Sequence, residues 1–388
     1  MRRAALLVGS VLFTLAVVEA GLRILGFSYP SFYTADAVVG VKHRPGVQGW
    51  YSQEGRSWVV LNSKGLRDRE HATRKPAGTF RIVVLGDSFA EALQVPVEQA
   101  FWSILERELS QCQTAFGGPV EIINLGVSDY GTAQELLTLE RDAWPYDPDM
   151  VLLAFFTGND LRNNSIDLEW RKARPFYVFR GDELVLDTSF TERASQRLRY
   201  GALWRQAIAA SDDVRLIQLA ILIRQRIAAM TAGTTADGEG IDDEVYRSAG
   251  MSAAWKDTWR VTEELLLKFR DDVKAHGARP LLVTLSNGIQ VDPHPEVRRA
   301  FTARFGIRDL FYPDRRIRAF AESAGIDVVT LAPAMLANAE ATQRYLHGFS
   351  NNLEGRGHWN QAGHAVAAEE IRRALCMPNT ARDRILRR

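Results

Sequence analysis

Cysteine is scarce in this 388-residue chain: there are two, Cys112 and Cys376. Lying so far apart, they form no zinc-binding pattern. An excess of one charge is also missing. Lys and Arg number 48 against 47 Asp and Glu, leaving a formal net charge of +1, so no nucleic acid or other polyanion is implied as a partner. No internal repeat is present, and no residue pattern implies a metal or another cofactor. What remains is ordinary globular composition, 46% hydrophobic and 24% charged. The length suits one large domain or two smaller ones.

The amino terminus stands apart. Arg2 and Arg3 precede an apolar run from Ala4 to Val18, which Glu19 interrupts and Gly21 to Phe27 resumes. Basic residues before an apolar segment mark export, with the arginines held in the cytoplasm. Counted through Phe27, the run reaches the roughly 20 residues a spanning helix needs. Residues 1–27 therefore read as an uncleaved signal anchor. A signal peptide cut after Val18-Glu19-Ala20 and a buried core helix are the alternatives. Either export reading puts the rest outside the cytoplasm, with a single pass through the inner membrane in the anchored case.

Residues 28–79 read as a strand-and-turn lead-in with one extended run, Trp58 to Leu61, followed by Asn62-Ser63-Lys64-Gly65. From residue 80 to about 378, strands and helices alternate, which predicts a parallel sheet covered by helices. The strands are expected at 81–85, 120–125, 150–156, 280–285 and 326–331. Helices are expected near 97–110 and 362–375, with Phe101, Ile104, Leu105 and Leu109 sharing one face of the first. A long excursion, 163–278, interrupts the alternation. It carries a hairpin from Phe176 to Leu186 around Gly181-Asp182, helices near 193–230 and 252–276, and a polar linker from Thr234 to Gly240. An insertion this long usually shapes a pocket or binds a partner. Residues 379–388 form a basic tail.

Four short blocks carry the chemistry. Gly86-Asp87-Ser88 follows the first strand of the sheet. Asn124 to Gly131 follows the second, and Gly158-Asn159-Asp160 the third. His358-Trp359-Asn360 precedes the last helix. All of them fall at carboxyl ends of strands or in the loop before the last helix, where α/β folds gather their sites. A serine hydroxyl needs a base within hydrogen-bond reach to act as a nucleophile, and His358 is the natural candidate beside Ser88. Attack on an ester creates an oxyanion that needs fixed donors. The backbone N–H groups of Ser88 and of the second block, with the Asn159 amide, can supply three.

This arrangement resembles the SGNH, or GDSL-type, hydrolase family, over about 80–160 and 350–375. Asn62 to Asp68 and Gly131 to Leu136 also look like membrane-anchored bacterial members. The resemblance implies a flavodoxin-like three-layer α/β/α sandwich with a five-stranded parallel sheet, here carrying a long helical insertion. It also implies Ser88 as nucleophile, His358 as base and Asn159 as a side-chain oxyanion donor. Two positions depart from the family pattern. Where the family places a glycine five residues after the Asn of the second strand, this chain has Asp129. Its N–H can still donate, with Gly126 as the fallback donor. Where the family has an Asp three residues before the histidine, this chain has Gly355. Glu354, one residue further, is the candidate acid, and a Ser-His dyad is the alternative.

The expected activity is removal of acetyl or another small acyl group by a serine esterase. The expected substrate is an acylated envelope or secreted polysaccharide, or a small ester, met in the periplasm or outside the cell. Acyl transfer to a glycan hydroxyl through the same acyl-enzyme and non-catalytic glycan binding are the rival readings. In the strand order 2-1-3-4-5 the first and last helices cover the same face and end on the same side. Cys112 and Cys376 lie just past those ends, so a disulfide is expected, with two independent buried thiols as the alternative.

Overall fold

Two runs of the sequence, Ile82 to Gly86 and Met150 to Phe156, alternate side chains to opposite faces yet stay apolar on both. Such strands belong inside a sheet covered on each side. The computed structural model describes residues 2–231, 243–351 and 353–376, and its central sheet has this form. In chain order the protein begins with α1 (Arg2–Ile24), then two antiparallel hairpins, β1 (Tyr33–Asp36) with β2 (Gly40–His43) and β3 (Gln48–Tyr51) with β4 (Ser57–Val60). Next come β5 (Phe80–Gly86), α2 (Ser88–Glu91), α3 (Phe101–Leu109), β6 (Val120–Asn124), α4 (Thr132–Thr138), β7 (Met150–Phe156) and α5 (Asp160–Asn163). The excursion holds β8 (Phe176–Arg180), β9 (Glu183–Asp187), α6 (Ala194–Tyr200), α7 (Ala202–Asp212), α8 (Arg215–Thr231) and α9 (Ala253–Ala275). The chain closes with β10 (Arg279–Leu285), α10 (Pro295–Phe305), α11 (Tyr312–Ser323), β11 (Asp327–Thr330), α12 (Ala332–Thr342) and α13 (Gln361–Cys376).

The five-stranded sheet runs β11-β10-β7-β5-β6, all parallel. This is the 2-1-3-4-5 order. Every residue of β7 is buried. Ile82 and Val84 face a core shared with α3, α12 and α13, while Val83 and Leu85 face one shared with α4, α9 and α11. Full burial of one such side chain is worth about 1.5–3 kcal/mol. The two cores therefore fix the strands rigidly, and the loops at their carboxyl ends inherit that rigidity. α3 and α13 pack together, and Cys112 and Cys376 past their ends are joined by a disulfide with Cα atoms 5.8 Å apart.

The lead-in departs from its sequence reading. It holds four short strands rather than one, because Tyr33–Asp36, Gly40–His43 and Gln48–Tyr51 lack the β-branched runs that announce a strand. Their pairing comes instead from packing of Phe32, Val59, Leu61 and Leu93 into a small core of their own. The helical stretch near 193–230 is three helices, broken at Gly201 and at Asp213-Val214. The Thr234 to Gly240 linker and the 379–388 tail lie outside the described residues. α1 has no buried residue, and its 23 residues suffice by length and composition to cross a membrane. At 1.5 Å per residue they span about 35 Å.

Candidate active site

Ser88 is placed by backbone constraints on both sides. Asp87 accepts the Phe89 N–H at 2.9 Å and caps α2, so the chain turns sharply as β5 ends. Burial raises the Asp87 carboxyl to about 6, against the opposing pull of the Phe89 N–H, His358 and Asn159. Beyond α2, Ala92 takes a left-handed backbone with φ 54°. The buried Arg67 holds this bend by donating to the carbonyls of Glu91, Ala92 and Val95. Its neighbour Asp68 accepts the Asn124 N–H at 2.9 Å, and Asn62 accepts the N–H groups of Lys64 and Leu66. The Asn62 to Asp68 stretch is thus a bracket that ties the Ser88 turn to the end of β6.

His358 arrives on a short antiparallel bridge. Gly348 donates to the His358 carbonyl at 2.9 Å, and Asn360 donates to Leu346 at 3.0 Å. Beneath it, Trp359 donates to Ser286 Oγ at 2.9 Å, and the buried His347 contacts Ser286 Oγ and the Gly357 carbonyl at 2.9 and 2.7 Å. Burial holds the His347 imidazole down at about 4, so it stays neutral as a structural partner. Ser88 Oγ lies 2.8 Å from His358 Nε2.

The acid is a correction. Glu354 is exposed and does not orient the imidazole. The carboxylate at His358 Nδ1 belongs to Glu54, whose Oε2 sits 2.5 Å away and whose Oε1 accepts the His358 backbone N–H at 2.8 Å. A carboxylate only accepts, so the proton sits on Nδ1 and leaves Nε2 to accept from Ser88. Burial pulls the His358 imidazole down, but the Glu54 charge and hydrogen bond outweigh it and hold it above the ordinary histidine range. Burial likewise pushes Glu54 up, and the pairing with His358 brings it below the usual glutamate value. Glu54 sits in the β3–β4 turn. That turn is pinned by Asn351, which accepts the Gly55 N–H at 2.9 Å and donates to the Gly55 carbonyl at 2.8 Å. Gly357, with φ 75°, is what lets Glu54 approach: a Cβ there would fall 2.2 Å from Glu54 Oε1. Sequence reasoning missed Glu54 because it searched near the histidine. The one available signal was a lone Glu beside a Gly in a turn.

The second block is tied to α2. Asn124 donates to the Ala90 carbonyl at 3.0 Å, and a Cβ on Gly126 would fall 2.5 Å from that of Ala90. Gly126 does not serve as an oxyanion donor, because its N–H already donates to Asn124 Oδ1 at 3.0 Å. Asp129 occupies a left-handed backbone, φ 72°, the conformation that favours glycine. Its carboxylate pairs with Arg171 and lies 3.7 Å from Arg174 Nη2, partners supplied by the excursion. Asn159 stands at the carboxyl end of β7, on the strand beside β5, where its amide acts on Asp87. Beneath the turn, buried Glu91 binds His43, Ser128 and Tyr33, and these contacts outweigh burial to keep it below the usual glutamate value. Among the described residues, no group of three or more His, Cys, Asp or Glu is arranged to hold a metal ion.

No protein-family model matches the chain, and no curated protein sequence does. Among solved structures, an acetyl xylan esterase aligns over 76% of this chain and 99% of its own, with 14% identity and a TM-score of 0.40. An acetylxylan esterase from Geobacillus stearothermophilus aligns over 77% and 95%, with 13% identity and a TM-score of 0.38. An alpha/beta hydrolase enzyme from the metagenome of Lake Arreo, Spain, aligns over 77% and 97%, with 15% identity and a TM-score of 0.40. At these identities and scores the similarity adds nothing to what the geometry of Ser88, His358 and Glu54 establishes.

Proposed function

We propose that this protein is a serine esterase that removes acetyl or another small acyl group from a polysaccharide outside the cytoplasm. The observation that carries the reading is the continuous relay from Ser88 Oγ to His358 at 2.8 Å and from His358 to Glu54 at 2.5 Å. Ser88 is half-buried and the His358 side chain is 26% exposed, so substrate can reach both.

His358 Nε2 takes the Ser88 proton as Oγ attacks the acyl carbon. The Glu54 carboxylate stabilises the imidazolium that forms and holds its tautomer. The tetrahedral oxyanion is met by the N–H groups of Ser88 and Asp129 and by the Asn159 amide. With the Asp129 carboxylate drawn off by Arg171, the N–H can serve without a negative charge against the oxyanion. The imidazolium then protonates the departing alkoxide, which leaves as the alcohol. Water repeats the cycle on the acyl-enzyme and releases the acid.

The test is labelling with a fluorophosphonate, alongside turnover of a chromogenic acetate ester. Wild type should label at Ser88 and turn over. Ser88→Ala should do neither, with rates lower by on the order of a million-fold. Wild-type protein that neither labels nor turns over would show that the fold is used for binding instead, and wild-type rates in Ser88→Ala would remove Ser88 as the nucleophile.

A further inference from the structure

Two cavities adjoin the site. One, of about 440 Å³, is walled by Tyr29, Phe32, Tyr51 and Leu93 on one side and by Trp204 and Ile221 on the other. Its lining is mostly apolar, and its size is that of a small-molecule site. The other, of about 500 Å³, is lined by Asp129 together with Arg171, Lys172, Arg174 and Arg199. Tyr33, Trp204 and Ile208 line both, so the two form one groove that ends at the second block of the active site.

The ends of this groove differ in chemistry. At the Asp129 end, the lining holds four cations against one carboxylate. Arg174 is 5% exposed, and its Nη1 has no hydrogen-bond partner among the described residues. A buried guanidinium N–H without an acceptor is costly, and a bound anion relieves the cost. Glu169 and Asp160 act on the Arg174 charge but do not line the cavity. The apolar end lies at the base of α1. Glu19 of α1 accepts the N–H groups of Arg215 and Leu216 at 3.1 and 2.9 Å, and Tyr29 N–H donates to Gln218. The α7–α8 corner is thereby clamped to the foot of α1, the helix long and apolar enough to cross a membrane. Leu198 and Leu203, next to the groove's Arg199 and Trp204, are 72% and 83% exposed. An apolar rim at a membrane foot suits hydrocarbon.

We propose that this groove binds an anionic amphiphile, with a phosphate-class head at Arg174, Arg171 and Arg199 and a hydrocarbon chain lying between Tyr29 and Trp204. Such a ligand enters from the membrane at α1 and brings its head to Asp129. Its use as the carrier of the acylated substrate rests on the esterase reading, whereas the binding itself does not.

The experiment uses full-length Ser88→Ala protein, so that binding is read apart from turnover. The protein is held in digitonin, whose rigid ring system is no extended chain. The probe is 12-bromododecyl phosphate, which quenches tryptophan on contact. Saturable quenching is expected, and Trp204→Phe should remove most of it. Unlabelled dodecyl phosphate should displace the probe at least about 100-fold better than inorganic phosphate, since each buried methylene adds about 0.8 kcal/mol. It should outcompete dodecanol by about tenfold or more, the value of charge-assisted hydrogen bonds. Arg171→Gln with Arg199→Gln, both at exposed positions, should weaken binding by about tenfold, and Arg174→Met by more if it folds. Equal displacement by dodecanol, equal displacement by inorganic phosphate, or an unchanged affinity in the exposed double variant would each overturn the proposal. Loss of fluorophosphonate labelling in the wild type would overturn the esterase reading alone.

Discussion

The carboxylate of Glu54 and the imidazole of His358 stand 304 positions apart in the chain and meet at 2.5 Å. Glu54 is supplied by a hairpin that precedes the sheet domain, while Ser88 and His358 come from the domain itself. The lead-in therefore completes the proposed site. Glu54→Gln should cut kcat by about ten-thousandfold, as loss of the orienting carboxylate does in a Ser-His-acid triad. Glu354→Gln should leave the rate at the wild-type level. The pH profile gives a second reading. His358 must be neutral to act as base, so activity rises as pH climbs through its raised value, above the ordinary histidine range. Without the Glu54 charge and hydrogen bond, the largest raising influences are gone and burial is opposed only by Asp87 and Glu91, so the acid limb should move to lower pH. A limb that stays in place, or a slow Glu354→Gln enzyme, would return the role to Glu354.

Most of the fold was legible because β5, β7 and β10 are apolar on both faces, a signal that survives without context. Ser88, Asn159 and His358 were legible because each lies at a strand end or before a helix. Glu54 was not, since a contact that spans most of the chain leaves no local pattern. Nor was the occupied Gly126 N–H, which depends on where the Asn124 side chain folds back. The left-handed Asp129 was visible only as a missing glycine. The structure gives the reason it is tolerated: Asp visits that region more readily than most residues, and Arg171 holds its carboxylate.

Arg67 links the lead-in to the nucleophile turn through three carbonyls. Arg67→Met strips the Glu91 and Val95 carbonyls of this donor and leaves the Ala92 carbonyl only the Val95 N–H at 3.3 Å, at about 1–3 kcal/mol for each that finds no new donor. The variant should melt several degrees lower and lose kcat, because the bend after α2 loosens under Ser88. Arg67→Lys should not rescue it, as a point charge cannot fork across three acceptors. A melting midpoint and rate equal to wild type in Arg67→Met would remove the bracket from this account.

Glu135 is buried on α4 with neither carboxylate oxygen hydrogen-bonded among the described residues, and burial together with the nearby Asp87 pushes it well above the usual glutamate value. The sign follows from proton counting. Between the unfolded value and the raised folded value, the native state holds a proton that the unfolded state has lost. Stability therefore falls as pH rises through that window. Glu135→Gln removes its share of the dependence while keeping the shape, leaving the shares of buried Asp87 and Asp160. The variant should melt a few degrees higher than wild type above neutral pH and match it near pH 4, with a flatter midpoint-against-pH curve in between. Parallel curves for the two proteins would show that Glu135 ionises freely in the fold.

Cys112 and Cys376 close a loop of 264 residues across the α3–α13 pair, with Cα atoms 5.8 Å apart. Because α3 follows the nucleophile strand and α13 follows His358, the bridge fastens together the two segments that carry Ser88 and its base. The chain-entropy account gives about 5 kcal/mol for so long a loop, and measured bridges give about 2–4. An oxidising compartment is required for it to persist. Protein prepared under such conditions and denatured without reductant should titrate no free thiol. Cys112→Ser with Cys376→Ser should lower the melting midpoint by several degrees. It should leave the activity at low temperature nearly intact, since the two helices pack through Leu105, Leu109, Ile371 and Leu375 without the bridge. Two titratable thiols, or a double variant that melts with wild type, would mean that packing alone holds the base-bearing helix against the nucleophile side of the sheet.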